Sequence, residues 1–96
     1  MTAFIATLEV KSGREAEFER LQQELSRLTH DNEPDTLVYD VIRHREKKGV
    51  YVVYARFKDE AAFQHHQTTD FHERLVPPIV DCLAAPFAIE FYDWVG

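Results

Sequence analysis

The sequence has a single cysteine and a shortage of positive charge, and each shortage excludes a class of protein. Cys82 has no second cysteine to pair with, which excludes an internal disulfide and a metal site built from several cysteines. Acidic residues number 17 against 11 basic ones, and the formal net charge is −6. A nucleic-acid-binding protein needs a basic surface. The charge balance therefore excludes nucleic acid as an expected partner.

Long apolar runs are also missing from the chain. No apolar stretch approaches the roughly 18 residues that a membrane-spanning helix requires. The first residues lack the basic segment followed by an apolar run that is typical of a signal peptide. We therefore expect a soluble, cytoplasmic protein that does not have a membrane as its partner.

Apolar residues are nevertheless abundant for so short a chain. Of the 96 residues, 45% are hydrophobic and 12% are aromatic. This length predicts one domain over residues 1–96, and such a domain buries only about 60–65% of its unfolded surface. The remaining apolar surface predicts self-association, and we expect a homodimer.

Hydrophobic periodicity predicts seven elements of secondary structure. Alternating apolar residues predict strands over residues 2–10, 36–45, 50–58 and 87–94. Three- and four-residue spacing predicts helices over residues 14–29, 60–66 and 70–83. The order is that of a ferredoxin-like β-α-β-β-α-β fold, an α+β class with a four-stranded antiparallel sheet and helices on one side. Two such sheets packed face to face would give a dimer with a barrel-like middle.

Local signals predict where the helices begin and break. Ser12 is expected to cap the first helix, Asp59 the second, and the Thr68-Thr69-Asp70 segment the third. Pro77-Pro78 lies inside the third helix, where proline removes an amide donor. We therefore expect that helix to kink or restart at the prolines.

Several short segments carry a resemblance to a known family by their order and spacing. They are Lys11-Ser12-Gly13-Arg14-Glu15 with Phe18, Glu33-Pro34 with Leu37 and Tyr39, Lys58-Asp59-Glu60-Ala61-Ala62-Phe63 leading to His66, Thr69 and Phe71, and Ala85-Pro86. Over nearly its whole length the chain resembles the antibiotic-biosynthesis monooxygenase domain, a branch of the dimeric α/β-barrel proteins. Residues 54–72 look most like the small isomerase that processes phosphorylated autoinducer-2.

The chain departs from this family pattern at several positions. Ala55 stands where family members usually have a glutamate, and Asp35 where they often have a glycine. The polyketide-oxidising members have Asn, Trp and Tyr at the positions of Val53, Phe57 and Phe63. Haem-degrading relatives need a histidine near the position of Leu75. These departures count against a polyketide substrate and against haem.

The resemblance implies a cofactor-independent monooxygenase that acts on a small aromatic substrate of the hydroquinone type. An isomerase that moves a proton on a small hydroxy-ketone is the first alternative. A non-catalytic dimeric module that binds a small apolar ligand is the second. No bound metal, flavin or haem is expected, because the chain lacks a Gly-rich phosphate loop and a metal-spaced set of ligands.

His66 is the candidate catalytic residue, because an imidazole accepts and returns a proton near neutral pH. The alternative is a structural histidine that closes the junction between two helices. The candidate substrate-binding residues follow from strand parity, from the resemblance and from the need for polar contacts. They are Tyr39, Tyr51, Val53, Phe57, Phe63, His65 and Phe71.

Other groups suggest weaker hypotheses. The four tyrosines and the tryptophan would form an aromatic pocket suited to a planar substrate, or else serve as ordinary core and interface residues (Tyr39, Tyr51, Tyr54, Tyr92 and Trp94). A metal site from His65, His66, His72 and Asp70 is conceivable, but adjacent histidines diverge by about 100° on a helix. Asp40 and Glu90 lie in apolar strands, where each is a possible base or a solvent-facing residue.

Overall fold

A four-stranded antiparallel sheet carries three helices in the computed structural model, which describes residues 1–96. The elements are β1 (Thr2–Glu9), α1 (Glu15–Asn32), β2 (Thr36–Arg43), β3 (Val50–Phe57), α2 (Glu60–Thr68), α3 (Asp70–Asp81) and β4 (Ala88–Asp93). The strand order in the sheet is β2-β3-β1-β4. This confirms the predicted ferredoxin-like fold, in which the α2–α3 pair occupies the place of the second helix.

Alternation along the two central strands builds the core. On β3, every second side chain from Tyr51 to Phe57 is buried, and on β1 Phe4 pairs with Ala55 in the antiparallel register. The apolar stripe of α1, with Phe18 and Leu25 fully buried, packs on this face. The side chains on the opposite face of β3 are only partly buried in the single chain.

The helix ends follow the sequence prediction in part. Asp59 caps α2 as predicted, because its Oδ1 accepts a 2.9 Å hydrogen bond from the Ala62 amide. Thr69 caps α3 through a 3.3 Å bond from the His72 amide. The prediction for Ser12 is wrong: α1 has no side-chain cap at its first residue, and the Gly13 amide donates instead to Glu15.

The prolines of α3 do not restart the helix, so of the two expected outcomes, a kink or a restart, the restart is wrong. The helix is continuous from Asp70 to Asp81 with both Pro77 and Pro78 inside it. Proline withdraws the amide that would bond to the carbonyl four residues earlier. Those carbonyls belong to Glu73 and Arg74, which are exposed, so solvent can satisfy them.

An irregularity at the start of β2 changes which side chains face the core. The register shifts between Thr36 and Val38, and the intervening Leu37 is 41% exposed. Leu37 and Tyr39 therefore do not share a face, although they lie two residues apart, because the register shift interrupts the alternation. As a result Thr36 is buried, with its hydroxyl beside Glu33.

The last strand lies at the edge of the sheet and is exposed throughout. On the helix side, Phe91 packs edge-on against Phe4 and Phe63. Beyond the strand, Trp94 lies 4.8 Å from the guanidinium of Arg56, which points away from the helices. No helix combines the length and the apolar character needed to cross a membrane.

Candidate functional site

A mostly apolar cavity of about 410 Å³ lies between the helices and the sheet. Its walls come from every layer of the fold, with Phe4 and Val53 from the central strands, Leu25 from α1 and Ile79 from α3. The exposed Phe87, Ile89 and Phe91 of the β4 segment line it too, together with the exposed Val80. The cavity therefore opens between α3 and the edge strand. Its size falls within the range of small-molecule sites.

A buried histidine–carboxylate pair stands at the cavity wall. The Nδ1 of His66 lies 2.9 Å and 3.1 Å from the two carboxylate oxygens of Glu33. Both side chains are almost fully buried, at 3% and 2% exposure. The Thr36 hydroxyl donates a further 2.9 Å bond to Glu33. Since an ionised carboxylate only accepts hydrogen bonds, Nδ1 carries the proton and Nε2 is left as the basic nitrogen.

The sequence explains why these two groups meet. His66 belongs to the last turns of α2, which Asp59 starts, and Glu33 is the residue that ends α1. The Glu33 amide donates to the Thr29 carbonyl, and the Thr36 amide donates to the Glu33 carbonyl. The turn between α1 and β2 thus fixes the backbone of Glu33 by hydrogen bonds that do not involve His66.

The electrostatics of the pair favour an ionised Glu33. Burial raises the pKa of Glu33, but the hydrogen bond and charge of His66 and the bond from Thr36 oppose it, and the pKa is lowered overall. A carboxylate fixed beside Nδ1 orients the ring and stabilises the imidazolium that forms when Nε2 takes a proton.

A second histidine faces the first. The His72 ring lies edge-on to His66 at 4.8 Å between centroids, and it also lines the cavity. Burial, and next the charge of His66, lower the pKa of His72 to about 4. His72 is therefore neutral at pH 7 and can exchange a hydrogen bond with a ligand without adding charge to the site.

Aromatic side chains enclose the His66 ring. Tyr39 lies 5.2 Å and Phe57 5.4 Å from it between ring centroids. Tyr39 is buried, and burial, followed by the charge of Glu33, raises the pKa of its phenol. Tyr39 therefore stays protonated across the physiological pH range and presents a neutral hydroxyl to its surroundings.

The structure brings together only part of the residues that the sequence singled out. His66, Tyr39, Val53 and Phe63 line one cavity. Phe57 does not line it but lies directly behind, packed on both His66 and Phe63.

The other candidate residues lie elsewhere. Tyr51 packs on Phe18 at the far end of α1, and its hydroxyl donates a 2.5 Å bond to Glu19. His65 is exposed on the outer side of α2, and Phe71 packs against the core without lining the cavity.

The structure also bears on the two broader hypotheses, the aromatic pocket and the metal site. The predicted aromatic pocket does not form, because its members lie on different faces of the sheet. Tyr39 faces the helices, whereas Tyr92 pairs with Ala3 of β1 and Trp94 lies over Arg56, on the helix-free face. No three side chains of His, Cys, Asp or Glu converge as metal ligands would. The absence of a bound metal stays a prediction.

Sequence reasoning missed four polar members of the site. Glu33 is only part of a family segment in the sequence, His72 only a candidate metal ligand, and Gln22 and Gln67 belong to no candidate set. The Glu33–His66 contact joins residues 33 positions apart and has no local signal. Gln22 had one, since it lies four residues after Phe18 and three before Leu25, within the apolar stripe.

Comparison with known proteins agrees with this architecture. The family model of antibiotic biosynthesis monooxygenase matches residues 1–77. The chain belongs to that family. Among curated proteins, none matches the chain significantly.

Solved structures extend the likeness to the whole length of this family member. A candidate antibiotic biosynthesis monooxygenase from Caulobacter crescentus CB15 is 32% identical, with a TM-score of 0.95, over 99% of this chain and 90% of that one. Another structure described as an antibiotic biosynthesis monooxygenase is 28% identical, with a TM-score of 0.91 and full coverage of both chains. A structure from Nitrosomonas europaea, at 18% identity and a TM-score of 0.94 over both full chains, shares the fold.

Proposed function

We propose that the cavity is an active site in which His66, held by Glu33, removes a proton from a small hydroquinone-type substrate that dioxygen then oxidises. The observation that carries this proposal is the buried His66–Glu33 pair at the wall of an apolar cavity. A polar pair so deeply buried costs free energy unless it is compensated. Perturbed, paired groups of this kind are concentrated at functional sites.

The first step is a proton transfer. The substrate O–H donates its proton to Nε2 of His66, which leaves an aryloxide in the cavity and an imidazolium beside the Glu33 carboxylate. The carboxylate stabilises the new positive charge at Nδ1, 2.9 Å away. The apolar walls exclude water, so the hydrogen bond between imidazolium and aryloxide is stronger than it would be in solvent.

The oxidation that follows needs only dioxygen as co-reactant. The electron-rich aryloxide gives an electron to oxygen, and the resulting radical pair forms a carbon–oxygen bond as a ring hydroperoxide. Cleavage of its O–O bond, with loss of the ring C–H proton at the same carbon, leaves one oxygen atom in the product as a carbonyl; the other oxygen takes up that proton and is released as water. Overall, a hydroquinone and O₂ give a hydroxyquinone and H₂O. The imidazolium returns its proton to the departing oxygen, so His66 ends in its starting state.

The alternative isomerase on a phosphorylated hydroxy-ketone receives less support from the cavity. A phosphate group calls for cationic side chains, and no lysine or arginine lines the cavity. Two arginines elsewhere on the chain are already paired with carboxylates: Arg43 bonds to Glu19 and Arg74 pairs with Glu24. A neutral hydroxy-ketone would still suit His66 as a proton shuttle.

Oxygen uptake with a panel of benzo- and naphthohydroquinones tests the proposal. We expect enzyme-dependent consumption of oxygen that falls by roughly 10²–10⁴-fold in His66→Ala. His65→Ala is the matched control, because that side chain is exposed on the same helix, and it should keep nearly full activity. Full turnover in His66→Ala, with the fold intact, would show that the histidine is structural.

We further propose a homodimer formed through the helix-free face of the sheet. That face presents exposed apolar side chains, among them Ile42, at 59% exposure, and Tyr92, at 46%. Within the chain no helix covers it, since the core packs on the other face. A second sheet laid on this surface would bury these side chains.

A further inference from the structure

We infer that the Gln22 side chain is a second polar anchor in the cavity, which selects aromatic substrates with two oxygen substituents. This inference rests on the proposed function, in which His66 meets the first oxygen. Gln22 lines the same cavity and is only 3% exposed. Its Oε1 is shut off from solvent and accepts no hydrogen bond from any protein group.

An amide oxygen buried without a partner is unfavourable. Leaving a buried acceptor unsatisfied costs about 1–3 kcal/mol of stability, and native proteins rarely contain such groups. An apolar residue would suit this position on the buried stripe of α1, where Phe18 and Leu25 are its neighbours. A glutamine retained there gains a function if a ligand supplies the missing hydrogen bond.

Gln22 and His66 enter the cavity at different levels along the strands. One turn before Gln22, Phe18 packs on Tyr51, and one turn after it, the Ser26 hydroxyl bonds to the Tyr39 carbonyl. Gln22 therefore lies between these two levels, near Val53. The His66 ring packs on Tyr39, which lies one inward-facing residue further along the sheet than Val53. Two residues of a strand correspond to a separation of roughly 6.6 Å between the two levels.

The offset between Gln22 and His66 determines which polar groups a ligand needs in order to bind both. One hydroxyl bound at His66 does not also lie at the level of Gln22, so a second oxygen on the far side of the ring is the group that meets the amide. The amide has both an acceptor oxygen and two N–H donors. Rotation about its terminal torsion lets it accept from a hydroxyl of the hydroquinone and donate to a carbonyl of the quinone product.

Anaerobic binding of a matched ligand pair tests the anchor without turnover. The probes are 1,4-dihydroxynaphthalene and 1-naphthol, which differ only in the second hydroxyl, and affinity is measured by calorimetry. We expect the wild-type protein to prefer the dihydroxy compound by about three- to tenfold, the value of one net hydrogen bond. Gln22→Met should bind the two probes equally, with its affinity for 1-naphthol close to wild type.

Gln23→Met is the control, because its side chain is exposed one residue further along α1, and it should keep the wild-type preference. A preference that persists in Gln22→Met, or a wild-type protein that shows none or binds neither probe, would overturn the inference. A preference without oxygen uptake would leave it standing and refute only the proposed oxygenase.

The unliganded protein supplies an independent measurement. Since the Oε1 of Gln22 lacks a hydrogen-bond partner, Gln22→Met should unfold at a temperature equal to or several degrees above that of wild type. A melting temperature that falls by several degrees in Gln22→Met but not in Gln23→Met would mean that the protein already satisfies the amide. That result would also overturn the inference.

Discussion

The neutral His72 beside His66 makes stability depend on pH in a defined window. The pKa of His72 falls from 6.5 to about 4 on folding. The unfolded chain therefore binds a proton between these two values that the folded chain does not. The stability that neutral His72 contributes is fully present above pH 6.5 and is lost as the pH falls toward 4.

The structure sets the size of this effect. Each pH unit between the two pKa values changes the free energy of unfolding by about 1.4 kcal/mol, so the full window corresponds to about 3 kcal/mol. His72 is only partly buried, and solvent reduces the energetic cost of charging it. We therefore expect a loss of about 2 kcal/mol between pH 7 and pH 4.5 from this residue.

His72→Gln removes the titrating group and keeps a polar side chain at the cavity wall. Urea unfolding at half-unit intervals from pH 7 to pH 4.5 gives the free energy of unfolding of wild type and variant. We expect a flatter pH dependence in His72→Gln. His65→Gln is the control, since His65 is exposed, and it should retain the wild-type slope.

Glu33 titrates in a separate window, which keeps the two effects distinct. Its pKa is lowered, so its contribution to stability is present above its usual value of 4.5 and is lost below that pH. A wild-type slope that survives unchanged in His72→Gln between pH 6.5 and 4.5 would refute the assignment to His72.

Three further predictions address the other contacts. Glu33→Gln should lower kcat for hydroquinone oxidation by roughly 10²-fold with little change in KM, because the uncharged amide does not stabilise the imidazolium of His66; an unchanged kcat in oxygen-uptake assays would remove the carboxylate from the mechanism. Asp59→Ala should lower the free energy of unfolding by about 1 kcal/mol through loss of the α2 cap, and chemical denaturation yielding no difference would contradict the cap. Val52→Asp should dissociate or unfold the dimer, whereas light scattering that shows a native-like dimer would place the interface elsewhere.

Local sequence signals determined the elements and the face that each strand buries. Side chains alternate on a strand and recur every three to four residues on a helix, so the pattern from Tyr51 to Phe57 is sufficient to orient β3. The Asp59 cap was readable for the same reason, because its acceptor and the Ala62 amide lie three residues apart. Hydrophobic periodicity also gave the order of the elements, and His66 lies in one of the segments that carry the family resemblance.

Tertiary structure alone decided which polar groups share the cavity. The Glu33–His66 bond spans 33 residues, and the Thr36 hydroxyl that donates to the same carboxylate lies where the register of β2 shifts. Tyr51 and Tyr39 both face the helices, yet they lie at opposite ends of α1, and only the packing of α1 on the sheet separates them. Periodicity specifies the face of an element, whereas position along that face is set by how the layers pack.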